Sequence, residues 1–160
     1  MRNKELDRQR YEKYKPIYDE WIKLYPFTTE SLDGEIWKPI PDYEDYHCSN
    51  FGRVKRFYKN GNVKILKPAL TKDGYLRVAL YKNGKQKNFR LNVLVGKLFI
   101  PNPLNKPEVN HEDGCKFNNH VSNLIWSTDV ENKRHAVRTG LKKSGEDDWH
   151  AKLNNEQVIY

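Results

Sequence analysis

The segment from Val109 to His135 constrains the fold most, because strand, turn and helix signals follow one another there at short spacing. Two short strand-like pieces, 108–111 and 124–127, flank a polar loop. That loop contains Asp113-Gly114, a dipeptide typical of tight turns between paired strands. The pattern therefore predicts two short antiparallel strands joined by a polar connection.

The same segment closes with the signals of a helix start. Thr128 has the side chain of an N-cap, and Glu131 stands three residues later, where a capping box requires it. In such a helix Asn132 and His135 lie one turn apart on one face. We expect strand, loop, strand and helix in that order, with polar side chains gathered at their junction.

This pattern resembles the HNH endonucleases, in the branch found in phage and intron-encoded homing enzymes. The matching residues are Asn110-His111-x-Asp113-Gly114-x-Lys116-x-Asn118-Asn119, Asn123-Leu124-x-Trp126-x-Thr128, Glu131-Asn132-x-x-His135-Ala136 and Gly140. The resemblance implies a ββα-metal finger, in which two strands and a helix hold one divalent cation against the scissile phosphate. Upstream, residues 35–55 look like the NUMOD-type module that often precedes such domains.

The resemblance also implies a role for each polar residue of the finger. His111 corresponds to the general base, since a neutral imidazole accepts a proton near pH 7. Asn110 and Asn132 correspond to the metal ligands, and oxygen ligands suit Mg²⁺, or Mn²⁺ in its place. Asn123 corresponds to the residue that braces the loop so that the base points inward. His135 either assists with the phosphate or metal or is a surface histidine, and the sequence leaves both open.

Two positions depart from the family pattern. Asn110 is an aspartate in some relatives, and a neutral amide binds a dication less tightly than a carboxylate does. The third motif position is Asn132 rather than His, as in the homing branch, so we expect low metal affinity in the absence of DNA. Separately, the family often has a His-Arg pair where this chain has Asn92-Val93, so a contribution of that histidine to the site is absent or replaced. His47, His120 and His150 are interpreted as ordinary polar residues.

Positive charge is concentrated in one part of the chain. The formal net charge is +8, yet the segment from Arg53 to Arg90 contains twelve Lys and Arg residues and one acid, Asp73, which sum to +11. Such a field favours a phosphate backbone as partner. The predicted DNA-binding residues are Arg53, Lys55, Arg56, Lys72, Arg77, Lys82, Lys85, Lys87 and Arg90. Interleaved aromatic residues could stack on bases, but the core of a small sheet is the favoured interpretation.

The remaining elements are predicted from periodicity and from Pro and Gly. Pro16 suits a first helical turn, and an aromatic stripe at helical spacing runs from Ile17 to Tyr25. That helix could dock a second copy or DNA, although packing on the following sheet is favoured. A second helix is predicted over 92–100. Strands are predicted near 45–49, 53–58, 63–67, 74–81 and 86–91, with hairpin turns at Asn60-Gly61 and Asn83-Gly84.

The predicted fold class is α+β: a small antiparallel β-sheet module and a ββα-metal finger, with an N-terminal helix. Four segments follow from this interpretation: an N-terminal helical extension (1–33), a NUMOD-type basic β module for DNA binding (34–90), the HNH nuclease domain (91–142), and a linker with the start of a truncated helix-turn-helix-like module (143–160). The sequence does not decide whether the chain is a fragment.

The expected function is a metal-dependent HNH endonuclease that nicks or cleaves double-stranded DNA, of the phage or intron-associated homing type. The alternative is a DNA-binding protein with a vestigial, inactive nuclease finger. Two cysteines, Cys48 and Cys115, are too few for a disulfide framework, which favours free thiols. No apolar run is long enough to span a membrane. We expect a monomer in the cytoplasm, that of the host cell if the chain is phage-encoded.

Overall fold

The computed structural model describes residues 4–140, and this part of the chain combines three helices with short antiparallel strands. The helices are α1 (Lys4–Leu24), α2 (Leu91–Phe99) and α3 (Asp129–Arg138). The strands are β1 (Trp37–Ile40), β2 (Tyr43–Ser49), β3 (Val54–Phe57), β4 (Val63–Ile65), β5 (Ala69–Leu70), β6 (Leu76–Lys82), β7 (Lys85–Arg90), β8 (Glu108–His111) and β9 (Leu124–Ser127). The predicted α+β class is confirmed. The proposed helix-turn-helix start at 143–160 lies outside the described residues.

Helix α1 begins at Lys4, so the prediction that Pro16 opens it is wrong. Pro16 removes one backbone donor from the helix interior, which normally weakens a helix. Contacts with the β5–β6 turn hold the preceding residues: Lys72 pairs with Asp7, and a Cβ added to Gly74 would lie 2.6 Å from the Tyr14 ring. Tertiary packing therefore outweighs the local signal of the proline.

The aromatic stripe of α1 packs inward. Ile17, Tyr18 and Trp21 are buried in the core, and the Trp21 ring lies 5.7 Å from that of Phe117 in the finger. The Tyr18 hydroxyl donates a hydrogen bond to the carbonyl of Pro68 at 2.7 Å. The interpretation of this stripe as a packing face, rather than a docking face, is confirmed.

The antiparallel module consists of two sheets where the sequence suggested one. The first has strand order β1-β2-β3-β4 and the second β5-β6-β7. Strands β1 and β5 were not predicted: β1 contains Pro39, which is tolerated because β1 is an edge strand, and β5 has only two residues. The hairpin at Asn83-Gly84 is confirmed, with φ of 51° and 73° at these residues.

The predicted strand–loop–strand–helix segment is confirmed in detail. Strands β8 and β9 pair in antiparallel register from Glu108 opposite Ser127 to His111 opposite Leu124. Both hydrogen bonds of the capping box between Thr128 and Glu131 are formed at the start of α3. We call this segment, residues 108–138, the finger.

Helix α2 packs against the finger and connects it to the rest of the core. A Cβ at Gly96 would lie 2.6 Å from Val109 of β8, so only glycine allows this approach. One hydrophobic core contains residues from α1, both sheets, α2 and the finger. The finger is therefore fixed relative to the basic sheets.

Candidate active site

The two faces of β8 carry different groups. Val109 and His111 point to the core and are 7% and 3% exposed, while Glu108 and Asn110 are on the other face, beside α3. Alternation along a strand separates neighbouring side chains in this way. The side chains of Asn110 and His111, although adjacent in the sequence, therefore lie on opposite faces of β8.

A cleft of about 320 Å³ lies between the hairpin and α3. It is lined by Lys106, Asn110, Glu112, Ile125, Trp126, Ser127, Glu131, Asn132, Arg134, His135 and Arg138. Three of the five residues predicted to be catalytic or metal-binding meet here: Asn110, Asn132 and His135. His111 and Asn123 do not line this cleft.

The Asn110 side chain contacts the backbone of the next residue and a side chain of α3. Its Oδ1 accepts a hydrogen bond from the backbone N–H of His111 at 3.0 Å. Its Nδ2 lies 3.4 Å from Nδ1 of His135, a partly buried residue of α3 that lines the same cleft. A role of His135 toward the phosphate or the metal stays a prediction.

The Asn132 amide is held at both ends. Ser127 donates its hydroxyl hydrogen to Asn132 Oδ1 at 2.7 Å, and Asn132 Nδ2 donates to a carboxylate oxygen of Glu108. A carboxylate accepts and does not donate, so the amide nitrogen must face Glu108. The orientation of the amide oxygen is therefore fixed before any ligand binds.

The His111 imidazole is buried and hydrogen-bonded to Asn119. Its Nε2 lies 3.0 Å from Asn119 Oδ1, and Asn119 Nδ2 points to the carbonyl of Phe117 at 3.4 Å. Because an amide oxygen only accepts, Nε2 carries the hydrogen and Nδ1 keeps the basic lone pair. Burial lowers the pKa of His111 to about 4, so the imidazole is neutral at physiological pH.

A tyrosine from the β5–β6 turn packs beside this histidine. The Tyr75 ring lies 5.9 Å from the His111 ring. Arg90 and Lys116 pack against the same tyrosine, at 4.2 Å and 4.5 Å from its ring centroid. The residue that the sequence predicts as base is thus shielded by a side chain of the basic segment.

Asn123 braces the loop between the two strands. Its Oδ1 accepts from the backbone N–H of Asp113 at 3.0 Å. Its Nδ2 donates to Asp113 Oδ1 and to the carbonyl of Asn118, both at 2.9 Å. These three bonds close the polar loop that follows His111, which is the bracing geometry expected of this residue.

The donors around the cleft fit a hard, weakly bound cation. Within residues 4–140 no group of three or more His, Cys, Asp or Glu side chains is arranged to hold a metal ion. The oxygen donors that line the cleft include the amide oxygens of Asn110 and Asn132 and the carboxylates of Glu112 and Glu131. The Glu108 carboxylate contacts the Asn132 amide. Oxygen donors of this kind suit Mg²⁺ or Mn²⁺ when waters and phosphate oxygens complete the shell.

Arg53 is not a DNA contact, so that prediction is wrong. Its side chain is 2% exposed, and its five N–H groups are all bonded inside the protein. Two go to the Glu35 carboxylate and three to the backbone carbonyls of Pro26, Thr28 and Glu30. This cation anchors the connection between α1 and β1.

The other predicted DNA-binding cations are distributed over both sheets. Lys72 pairs with Asp7 and Arg90 pairs with Asp73, which reduces the charge they present. Lys55 lies 3.8 Å from the Trp37 ring centroid, and Arg77 donates to Asn88. The remaining positions are Arg56, which lies over the rings of Tyr46 and Tyr58, Lys87, which lies over that of Phe89, and the exposed Lys82 and Lys85 at the β6–β7 hairpin.

Several residues at the site were not assigned a role from the sequence. Asn119 belongs to the matched motif, yet only the structure shows that it holds His111. Arg134 and Arg138, one turn apart on α3, line the cleft and can reach an anionic substrate. The sequence could have indicated both arginines. Arg134 directly precedes His135, and Arg138 lies one helical turn after it.

The remaining histidines have local packing roles. The His47 ring lies 4.8 Å from Phe57, and the His120 ring lies 4.7 Å from Phe51. His150 lies outside the described residues. Cys48 and Cys115 are buried, and neither of these two residues forms a disulfide. None of the described helices has the length and apolarity to cross a membrane.

Comparison with known proteins places these features in a wider group. Residues 35–81 match the family described as NUMOD4 motif. The chain is 36% identical over 124 residues to the DNA endonuclease I-HmuI of Bacillus phage SP01, covering 77% of this chain and 70% of that protein. It is 42% identical over 107 residues to an uncharacterised HNH endonuclease of Acanthamoeba polyphaga mimivirus, covering 67% of this chain but 31% of that protein.

A solved structure agrees with the sequence comparison. It is described as DNA binding and cleavage by the HNH homing endonuclease I-HmuI, and it matches with a TM-score of 0.59 at 39% identity. The match covers 66% of this chain and 59% of the solved one. The chain therefore corresponds to only part of the length of several proteins that it resembles.

Proposed function

The chain belongs to the HNH homing endonuclease family, and we propose that it hydrolyses phosphodiester bonds of double-stranded DNA with the help of a divalent metal ion. The observation that carries this proposal is the finger itself. Asn110, Asn132 and His135 meet in one cleft. His111, the matched general base, is neutral and lies on the opposite face of β8 from this cleft, so its role rests on the matched motif and on its protonation state. A neutral base and oxygen ligands for a dication are the groups that metal-assisted hydrolysis of a phosphodiester needs.

In this proposal Nδ1 of His111 takes a proton from a water molecule. The oxygen of that water forms a bond to phosphorus, the bond from phosphorus to the 3′ oxygen breaks, and the leaving oxygen takes up a proton from solvent. Asn119 keeps the hydrogen on Nε2, so the lone pair of Nδ1 is available throughout. Because His111 is only 3% exposed and Tyr75 packs beside it, the residues around His111 have to move to admit the reacting water.

The metal is proposed to be Mg²⁺, with Mn²⁺ as a substitute, held by Asn110 and Asn132. When bound, it supplies positive charge next to the scissile phosphate and the departing oxygen. Arg134, Arg138 and Lys106 line the same cleft and are suited to hold the flanking phosphates. The exposed cations of both sheets would follow the DNA backbone on either side.

The test compares nicking of supercoiled plasmid by the wild-type protein and by His111→Ala, in Mg²⁺ and in excess chelator. Removing a general base costs roughly 10²–10⁴-fold in rate, while DNA binding in chelator should be unchanged. Asn132→Ala should also lose activity, but part of it should return at higher Mg²⁺ or with Mn²⁺. The matched control is His47→Ala, which removes a histidine of β2, outside the finger.

The outcome distinguishes the two functions considered from the sequence. If His111→Ala nicks DNA as fast as the wild type at saturating protein, His111 is not the base and the proposal fails. If the wild-type protein binds DNA but nicks none in any divalent metal, the chain is a DNA-binding protein with an inactive finger.

A further inference from the structure

Glu108 stands beside the proposed metal ligands on the α3-facing side of β8. It pairs across the hairpin with Ser127, so both side chains are on the same face. These two residues hold the Asn132 amide from opposite ends: Ser127 at the oxygen, Glu108 at the nitrogen. The contact joins the first residue of β8 to the second turn of α3.

The charge of this region gives the contact a consequence beyond packing. The two proposed metal ligands are neutral amides, and the cleft contains the cations Lys106, Arg134 and Arg138, which repel a divalent ion. Two carboxylates line the cleft, those of Glu112 and Glu131. Glu131 is occupied by Lys106 and by the backbone N–H of Thr128. Glu108, in contrast, places its carboxylate directly on Asn132.

We propose that Glu108 is a positioning residue of the metal site, which aims Asn132 Oδ1 at the cation and supplies negative charge that the two amide ligands lack. The inference rests on the proposed function. A carboxylate that accepts from Nδ2 polarises the amide and increases the negative charge on its oxygen, which strengthens that oxygen as a ligand. Partners that orient a ligand commonly change metal affinity roughly 10–100-fold.

The experiment measures the Mn²⁺ dissociation constant of the whole chain by water-proton relaxation, without DNA and without turnover. Glu108→Gln keeps an acceptor for Asn132 but removes the charge, and Glu108→Ala removes both. We expect the dissociation constant to rise roughly tenfold in Glu108→Gln and further in Glu108→Ala. Glu108 is exposed, so neither variant should disturb folding; the circular dichroism spectrum checks this.

The matched control is Asp129→Asn. It removes the same charge one helical turn from Asn132, from a carboxylate that pairs with Lys133. Its dissociation constant should stay within about twofold of the wild type, because an exposed charge acts weakly at this range. If Glu108→Gln and Asp129→Asn raise the Mn²⁺ dissociation constant equally, Glu108 acts only through its general charge, and the inference is overturned.

Asn132→Ala separates this inference from the proposed function. If Asn132→Ala loses Mn²⁺ affinity while both Glu108 variants bind like the wild type, the metal site stands and Glu108 has no part in it. If the wild-type protein itself takes up no Mn²⁺, even at millimolar concentration, the metal site fails and Glu108 fails with it.

Discussion

The finger and the basic segment differ in how closely a residue's place in the sequence determines its task. In the finger, Asn123 forms three hydrogen bonds within ten residues of itself, and Thr128 caps the helix that it begins. In the segment from Arg53 to Arg90, residues of one type have unlike surroundings: Arg53 is buried against Glu35, while Lys85 is exposed. Short-range hydrogen bonding is visible in a sequence, and long-range pairing of charges is not.

Arg53→Ala is expected to have the largest effect on stability of the changes considered, and it tests the buried part of the basic segment. It leaves the Glu35 carboxylate buried without its cation and three carbonyls without a donor, and breaking a buried pair costs about 3–5 kcal/mol. We expect a large loss of unfolding free energy in urea. Arg53→Lys should recover only part, because one ammonium group cannot replace five N–H donors. A variant as stable as the wild type would show that this pair does not hold the α1–β1 connection.

The finger has its own test in the pH dependence of stability. The pKa of His111 is about 4 in the folded protein and 6.5 in an exposed histidine, so the unfolded chain binds a proton first. The contribution of His111 to the free energy of unfolding is therefore fully present above pH 6.5. It is lost as the pH drops toward 4, by up to about 3 kcal/mol. The measurement is urea unfolding at both pH values in chelator.

His111→Gln is the reference for that experiment, because it leaves every other titrating group in place. Its stability should fall less between pH 6.5 and pH 4 than that of the wild type. If the two proteins lose the same stability over this range, His111 is not held neutral by burial.

The smallest effect is expected on the exposed side of the basic segment. Lys85→Ala and Lys87→Ala should each change unfolding free energy by less than about 0.5 kcal/mol. If each side chain contacts one phosphate, each change should lower the slope of log affinity against log salt by about 0.9. Lys23→Ala, which removes a cation paired with Glu20 on α1, is the control. An unchanged slope would exclude the β6–β7 hairpin from the DNA surface.

The fold was predictable where local signals agree with packing. Strands β8 and β9, the capping box of α3 and the buried alternation of Leu76, Val78 and Leu80 follow from spacing alone. The start of α1 was not predictable. Pro16 argues against a helix at this position, but contacts with the β5–β6 turn hold the helix nevertheless. Edge strand β1 was missed for a similar reason, since Pro39 lowers strand propensity but is harmless at an edge.

At the site, the sequence by itself determined which side chains are available: Asn110, His111, Asn123, Asn132 and His135 stand at fixed spacing in a strand, a loop and a helix. The tertiary structure decided what surrounds them. It placed Asn119 on the His111 imidazole, Tyr75 over the same ring, and Glu108 on Asn132. Tyr75 and Glu108 are distant in the chain from the residues that they contact, and burial depends on the whole core, so the pKa of His111 and the orientation of the Asn132 amide arise only when the strands and helices have packed.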